Sequence, residues 1–280
     1  MDEKVGATVC YRHPNRPTRL ACTECGRPIC VDCSIDASVG QKCPECAKPV
    51  GRARVIDARR TTGRRSGFAG APVTQAILVV TVAIYLLGLL SADADAWLLN
   101  NLAHANWLLE AGEYWRMVSH ALLHASTMHI LFNMYALYLF GPELERRVGS
   151  VPFAMFYVAA AAGGSAAAYA LGPIEMVAVG ASGAIFGLFG AWIYVSYRMR
   201  HTPAGQAQFR QLSVLLAINL ALPLFIPRVA WEAHVGGLLF GAAMAAVWSL
   251  VAAGKPNAEA RRSIISAVFL AAAILAVMVL

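Results

Sequence analysis

Seven apolar runs, each near the length of a membrane-crossing helix, dominate the second three-quarters of this chain. They fall at about 73–91, 117–140, 151–171, 182–197, 211–227, 231–252 and 262–280. A helix needs about 20 predominantly apolar residues to cross a hydrocarbon core about 30 Å thick. Seven such runs in 280 residues leave little room for a water-soluble core. The composition agrees: 58% of residues are hydrophobic, 14% are charged, and the mean hydropathy is +0.56. The chain reads as an all-α polytopic membrane protein.

The charges give a direction. With the N-terminus inside, the inner loops hold Arg146 and Arg147, then Arg198, Arg200 and Arg210, then Lys255, Arg261 and Arg262. The outer loops hold only Arg116 and Arg228. Every loop then obeys the positive-inside rule, and the C-terminus lies outside. The formal net charge of +7 therefore reads as a topology signal and a means of touching anionic lipid, not as nucleic-acid binding. The connection 92–116 is long and carries Trp97, Trp107, Tyr114 and Trp115, which suits a partly helical, partly embedded loop at the headgroups. The Ala-, Val- and Arg-rich composition points to a GC-rich bacterium and its cytoplasmic membrane.

All seven cysteines lie in the first 50 residues, away from the apolar runs. Cys10 and His13, Cys22 and Cys25, Cys30 and Cys33, and Cys43 and Cys46 form four pairs, each with a two-residue gap. That gap lets both side chains of a pair turn toward one ion, and two pairs complete a tetrahedral site. Eight ligands fit two structural zinc ions, and no position is left open for catalysis. The order resembles B-box zinc modules. That resemblance implies Cys10, His13, Cys30 and Cys33 at one ion and Cys22, Cys25, Cys43 and Cys46 at the other. A sequential pairing and an iron–sulfur cluster are the alternatives that spacing leaves open. So few large apolar residues cannot bury a sizeable core, so metal ligation must supply the folding energy. The module is structural on this reading and also suits docking to a protein partner. Four segments are expected: a double zinc module at 1–50, a basic linker at 51–71, a membrane core at 72–252 and a C-terminal helix at 253–280, the last division resting on the resemblance given below.

Polar side chains inside hydrocarbon are costly and usually functional. The run HALLHASTMHILFN carries His120, His124, His129 and Asn133, the last two on one helix face. GASGAIFG carries Ser182, and WEAHVGG carries His234. At about 1.5 Å per residue, Ser182 sits roughly 24 Å, His129 roughly 21 Å and His234 roughly 31 Å above the inner charges. All three share the outer leaflet. The Ser182 span is too short to cross the core, so the preceding loop, with Gly172, Pro173 and Gly180, must dip into a protein-lined cavity. A helix start there leaves free N–H groups beside the serine. Glycines at 183, 187, 190, 236, 237 and 241 let the Ser182 and His234 spans approach closely. Ser182 then has water, spare donors and a base. Three bland readings compete: a packed serine, histidines as metal ligands, and His120 and His124 as plain interface residues. No HEXXH motif is present, and no Asp or Glu is placed near these histidines by this reading.

Taken together, these residues resemble the rhomboid family of intramembrane serine proteases over about 72–252. The marks are Trp115-Arg116, His124-x4-His129-x3-Asn133, Gly180-x-Ser182-Gly183, and Ala233-His234 followed by Gly237. The resemblance implies six spans in the core, with 262–280 as a seventh. It implies Ser182 as nucleophile and His234 as general base, without an acidic third member. His129, Asn133 and the Ser182 N–H form the oxyanion hole. Phe186 packs on the His234 ring where many members carry Tyr, and His124, Gly180 and Gly237 support the site. Arg116 and Glu145 match loop residues with a structural role. No cofactor takes part in catalysis. The substrates are transmembrane segments of other proteins, and 211–227, with Pro223 and Pro227, resembles the lateral gate. The rival readings are a catalytically silent relative that binds membrane clients, and a histidine-based membrane metal protein.

Overall fold

The computed structural model describes residues 8–37, 40–47, 69–221, 225 and 229–280. The chain divides into two compact units, Met1–Arg64 and Arg65–Leu280. The linker expected at 51–71 falls almost wholly outside the described residues, as do Pro223 and Pro227.

The first unit is built from two small hairpins. β1 (Val9–Cys10) pairs antiparallel with β2 (His13–Pro17), and β3 (Ile35–Asp36) pairs with β4 (Gln41–Lys42). A single 3-10 turn spans Val31–Cys33. Its interior consists of Ile29 and five buried cysteines, with Tyr11 and Cys46 packed against them. An apolar core this small cannot hold the unit on its own.

The second unit is helical. Its long helices are α1 (Pro72–Leu90), α5 (Thr127–Val148), α6 (Ser150–Leu171), α7 (Ser182–Arg198), α8 (Pro203–Ala221), α9 (Trp231–Val251) and α10 (Ala258–Val279). Short helices α2 (Ala92–Leu102), α3 (Asn106–Glu110) and α4 (Arg116–Ser119) fold the long connection between α1 and α5. Among the described residues, α1, α6, α9 and α10 are long and apolar enough to cross a membrane. α7 is the hub: it packs on α9, α6, α8 and α5, and its residues from Gly183 to Trp192 are all buried. A helix apolar on every side belongs in the middle of a bundle.

Several boundaries differ from the sequence reading; the last helix, for one, begins at Ala258 and takes in Arg261 and Arg262. The run at 117–140 is not one span: its first part forms α4 and a 3-10 turn at His120–Leu122, and the helix starts at Thr127, capped by Ser126. Met117, Ala121 and Leu123 are apolar because they are buried in protein, which hydropathy cannot tell from lipid. Arg146 and Arg147 end α5 instead of lying in a loop, where they favour the negative helix end and pair with Glu143 at 2.9 and 2.8 Å. The helix read as 211–227 begins at Pro203, a residue suited to a first helical turn, so Arg210 lies inside it.

Glu145 staples α5 to the start of α1. One carboxylate oxygen accepts from Val73 N (2.9 Å) and Ser150 Oγ (2.7 Å), and the other from Thr74 N (2.8 Å) and Thr74 Oγ1 (2.7 Å). The N-terminal donors of α1 thus end on an anion contributed by α5. Glu145→Ala leaves the N–H groups of Val73 and buried Thr74 unpaired and is expected to cost about 3 kcal/mol. A fall in the thermal unfolding midpoint in detergent reads this, and an unchanged midpoint would contradict it. Arg116 does the same for the connection between α1 and α5. Its guanidinium is buried and donates to Glu113 Oε2 (2.7 Å), Ala103 O (2.8 Å) and Asn100 O (2.7 Å).

Candidate active site

Ser182 opens α7. The residue before it, Ala181, offers no side-chain cap, so the first N–H groups of the helix, including that of Ser182, have no carbonyl one turn back. The backbone reaches this point through Gly180, whose φ is +128°. A side chain there would be strained, and its Cβ would lie 2.6 Å from Cε1 of the His129 ring. His129 therefore sits directly over the turn into Ser182. Its ring meets His124 edge to face, with centroids 5.0 Å apart.

His234 lies in the first turn of α9 and is buried. Its ring stacks on Phe186, with centroids 4.2 Å apart and planes 8° from parallel. The two helices meet backbone to backbone: a Cβ on Gly237 would lie 2.0 Å from the Gly183 carbonyl oxygen, and one on Gly241 would lie 2.1 Å from that of Gly187. Nδ1 of His234 has no hydrogen-bond partner among the described residues.

Several particulars correct the sequence reading. A carboxylate does sit on the His234 helix: Glu232 is buried, and its Oε2 has no partner among the described residues. Two residues along a helix place it about 200° around from His234, so the two side chains point apart. One amide N–H of Asn133 donates to His129 O at 2.9 Å, one turn back in its own helix, which leaves the second N–H for any other role. His120 is no interface residue. It is buried and meets His104 edge to face at 5.8 Å.

Three further buried polar residues carry no motif in the sequence. His104 Nδ1 lies 2.6 Å from Ser165 Oγ, and His104 Nε2 lies 2.7 Å from Asn106 Oδ1. The available signal was a His and an Asn two apart in an apolar loop, and a single Ser in an Ala/Gly helix.

In the first unit the ligand atoms of Cys10, His13, Cys30 and Cys33 form one group, and those of Cys22, Cys25, Cys43 and Cys46 form another. Within each group they lie within 4.8 Å of one another. His13 Nδ1 is 3.4 Å from Cys30 Sγ and Cys33 Sγ and 3.7 Å from Cys10 Sγ, and Cys25 Sγ is 3.9 Å from Cys43 Sγ. Sulfurs bound to zinc at about 2.3 Å on a tetrahedron stand about 3.8 Å apart, so both sets fit the ion. Among the described residues, these are the only groups of three or more His, Cys, Asp or Glu so placed; the membrane histidines form none. Backbone N–H groups of Cys25 and Cys43 help hold the Cys22 thiol down to about 6, while hydrogen bonding to Cys43 pushes Cys46 up to about 12. Crowded thiolates repel one another, so the last thiol keeps its proton until a cation displaces it.

The rhomboid domain profile matches residues 111–251, which takes in Ser182, His234, His129 and Asn133. The chain belongs to the rhomboid family. This rhomboid is 33% identical to the rhomboid-family protein YdcA of Bacillus subtilis over 170 residues, which is 61% of this chain and 85% of that one. It is 32% identical to the rhomboid protease GlpG of Haemophilus influenzae over 174 residues, covering 60% of this chain and 86% of the other. Similarity to the rhomboid protease GluP of Bacillus subtilis, 36% over 152 residues, covers 54% of this chain and 29% of that longer protein. A B-box zinc finger profile matches residues 6–39 of this rhomboid, and Cys43 and Cys46 lie beyond that stretch. This rhomboid is thus a multi-pass membrane protein with a zinc-finger module at its start.

Proposed function

We propose that this rhomboid is an intramembrane serine endopeptidase in which Ser182 and His234 form a catalytic dyad. The stack of Phe186 on His234 carries the reading. Phe186 lies four residues after Ser182, on the same face of α7, so a ring held against it is one turn from the serine hydroxyl. The protease names of the relatives support the reaction class. His234 takes the Ser182 proton as Oγ attacks a peptide carbonyl. The oxyanion meets the Ser182 N–H, His129 and the free amide N–H of Asn133. Collapse expels the amine with the proton from His234. Water, activated by the same ring, then hydrolyses the acyl-enzyme. The substrates are transmembrane segments of other proteins, unwound near their outer ends, because a helical peptide bond is shielded from attack. Cleavage of a single-span protein in liposomes tests the dyad. Wild type should cut, and Ser182→Ala and His234→Ala should not at equal folded yield; equal cleavage by all three would sink it.

The remaining assignments follow the same line. The N-terminus is cytoplasmic and the C-terminus external in a bacterial cytoplasmic membrane, with the core at 72–252 and α10 as an additional helix. Cys10, His13, Cys30 and Cys33 hold one structural zinc, and Cys22, Cys25, Cys43 and Cys46 the other. Neither takes part in catalysis. Metal analysis of the purified chain should give two zinc ions, and Cys22→Ser combined with Cys43→Ser should leave one. Because thiols must lose protons to bind, zinc should also leave as the pH falls. One zinc in the unaltered protein would contradict the assignment.

A further inference from the structure

The ten residues between α6 and α7, 172–181, form irregular backbone next to the candidate nucleophile. At this depth their polar groups need partners within the protein. Residues 104–106 supply several of them. β5 (His104–Ala105) pairs antiparallel with β6 (Val177–Ala178), so His104 faces Ala178 and Ala105 faces Val177. Asn106 N donates to Met176 O at 3.1 Å. The Asn106 side-chain amide donates to Pro173 O at 2.8 Å and, more weakly, to Ala168 O at 3.4 Å. The last anchor before the serine is Gly180 N, which donates to His120 O at 3.0 Å.

The three-residue brace is itself locked. His104, Asn106 and Ser165 are each about 1% exposed. With the Asn106 amide nitrogen committed to carbonyls, its Oδ1 faces His104 and can only accept. His104 Nε2 therefore carries the hydrogen, and Nδ1 accepts from the Ser165 hydroxyl. One tautomer satisfies every bond. The chain of contacts runs from α6 through Ser165, His104 and Asn106 to the loop that ends at Ser182.

We propose that His104, Asn106 and Ser165 are positioning residues: the buried relay they form fixes residues 173–178, and through them the placement of the Ser182 hydroxyl. This rests on Ser182 being the nucleophile. A loop held at only one end would let Oγ wander, and a displacement of about 1 Å can cost about 100-fold in rate.

The test uses the full-length protein in detergent, a single-span substrate and a fluorophosphonate probe that labels a reactive serine directly. Asn106→Ala should lower both kcat and the labelling rate constant about 10- to 100-fold, with KM within about twofold. Ser165→Ala should lower both less, and Ser165→Thr, which keeps a hydroxyl, should restore labelling. Rates are taken per folded molecule, from the thermal transition and size-exclusion profile. If folded Asn106→Ala and Ser165→Ala label like wild type, even with lowered melting temperatures, the relay is merely structural and the proposal is overturned. Should Asn106→Ala fail to fold, Ser165→Ala decides, since it removes one oxygen from a helix. Labelling absent in wild type, or equal in Ser182→Ala, would instead overturn the nucleophile itself.

Discussion

Ser182→Ala and His234→Ala are each expected to lower the cleavage rate by at least about 1,000-fold, and the double variant is expected to be no slower than either. The hydroxyl and the imidazole act as one unit: without the base the hydroxyl is a weak nucleophile, and without the hydroxyl the base has no proton to take. The two single variants differ in what else they disturb. Ser182→Ala trims one oxygen from the first turn of α7 and leaves Phe186 stacked on His234. His234→Ala removes one partner of that stack and opens space at the start of α9. Ser182→Ala should therefore keep the wild-type melting temperature, and His234→Ala should lower it slightly. Single-turnover cleavage with both singles and the double gives the measurement. Losses that add in free energy would mean that the residues act separately, and the dyad would have to be abandoned.

Gly237→Val is the second large effect. A Cβ at this position would stand 2.0 Å from the Gly183 carbonyl oxygen and 2.8 Å from its carbon. Both are backbone atoms, so no side chain can swing away. Relief requires α7 and α9 to part, which breaks their backbone-to-backbone contact. Overpacking of this kind in a close-packed interior costs about 1–3 kcal/mol where side chains can adjust, and more where only backbone can move. The same parting carries His234 away from Ser182. Cleavage by whatever fraction folds should fall at least about 100-fold. Detergent melting curves and the cleavage rate per folded molecule check both halves. A variant that folds normally and cuts at the wild-type rate would refute this account of how the two helices meet.

How far the sequence could be read depends on which force each pattern reports. Cysteine pairs with two-residue gaps report local geometry, and the eight ligand atoms do gather into two sets of four. Apolar runs report transfer out of water, which located the long helices but not their ends. Met117, Ala121 and Leu123 left water for protein, and so were counted into a span that begins only at Thr127. Ser182 stood out because glycine on both sides promised a bare helix start and a close neighbour. His104 gave no such sign. Its partner Ser165 is 61 residues away, and no spacing rule joins a loop histidine to a serine in an alanine-rich helix. Glu232 was overlooked for the opposite reason. It begins an apolar run, where a carboxylate is easily assigned to the water side, yet it is buried.

The position of α7 at the centre of the bundle bears on how the enzyme measures the membrane. Its 17 residues span roughly 25 Å, and the stretch from Gly183 to Trp192 is buried against protein, not against acyl chains. Bilayer thickness therefore has little purchase on the level of Ser182, which is set by contacts inside the protein. A substrate helix enjoys no such insulation: it rises, sinks or tilts with the lipid around it. On the proposed dyad, the serine is a fixed mark against which a floating substrate is read. Shortening the acyl chains of the liposome should slide the cut along the substrate, seen as a change in product mass, while Ser182 keeps the same intrinsic reactivity.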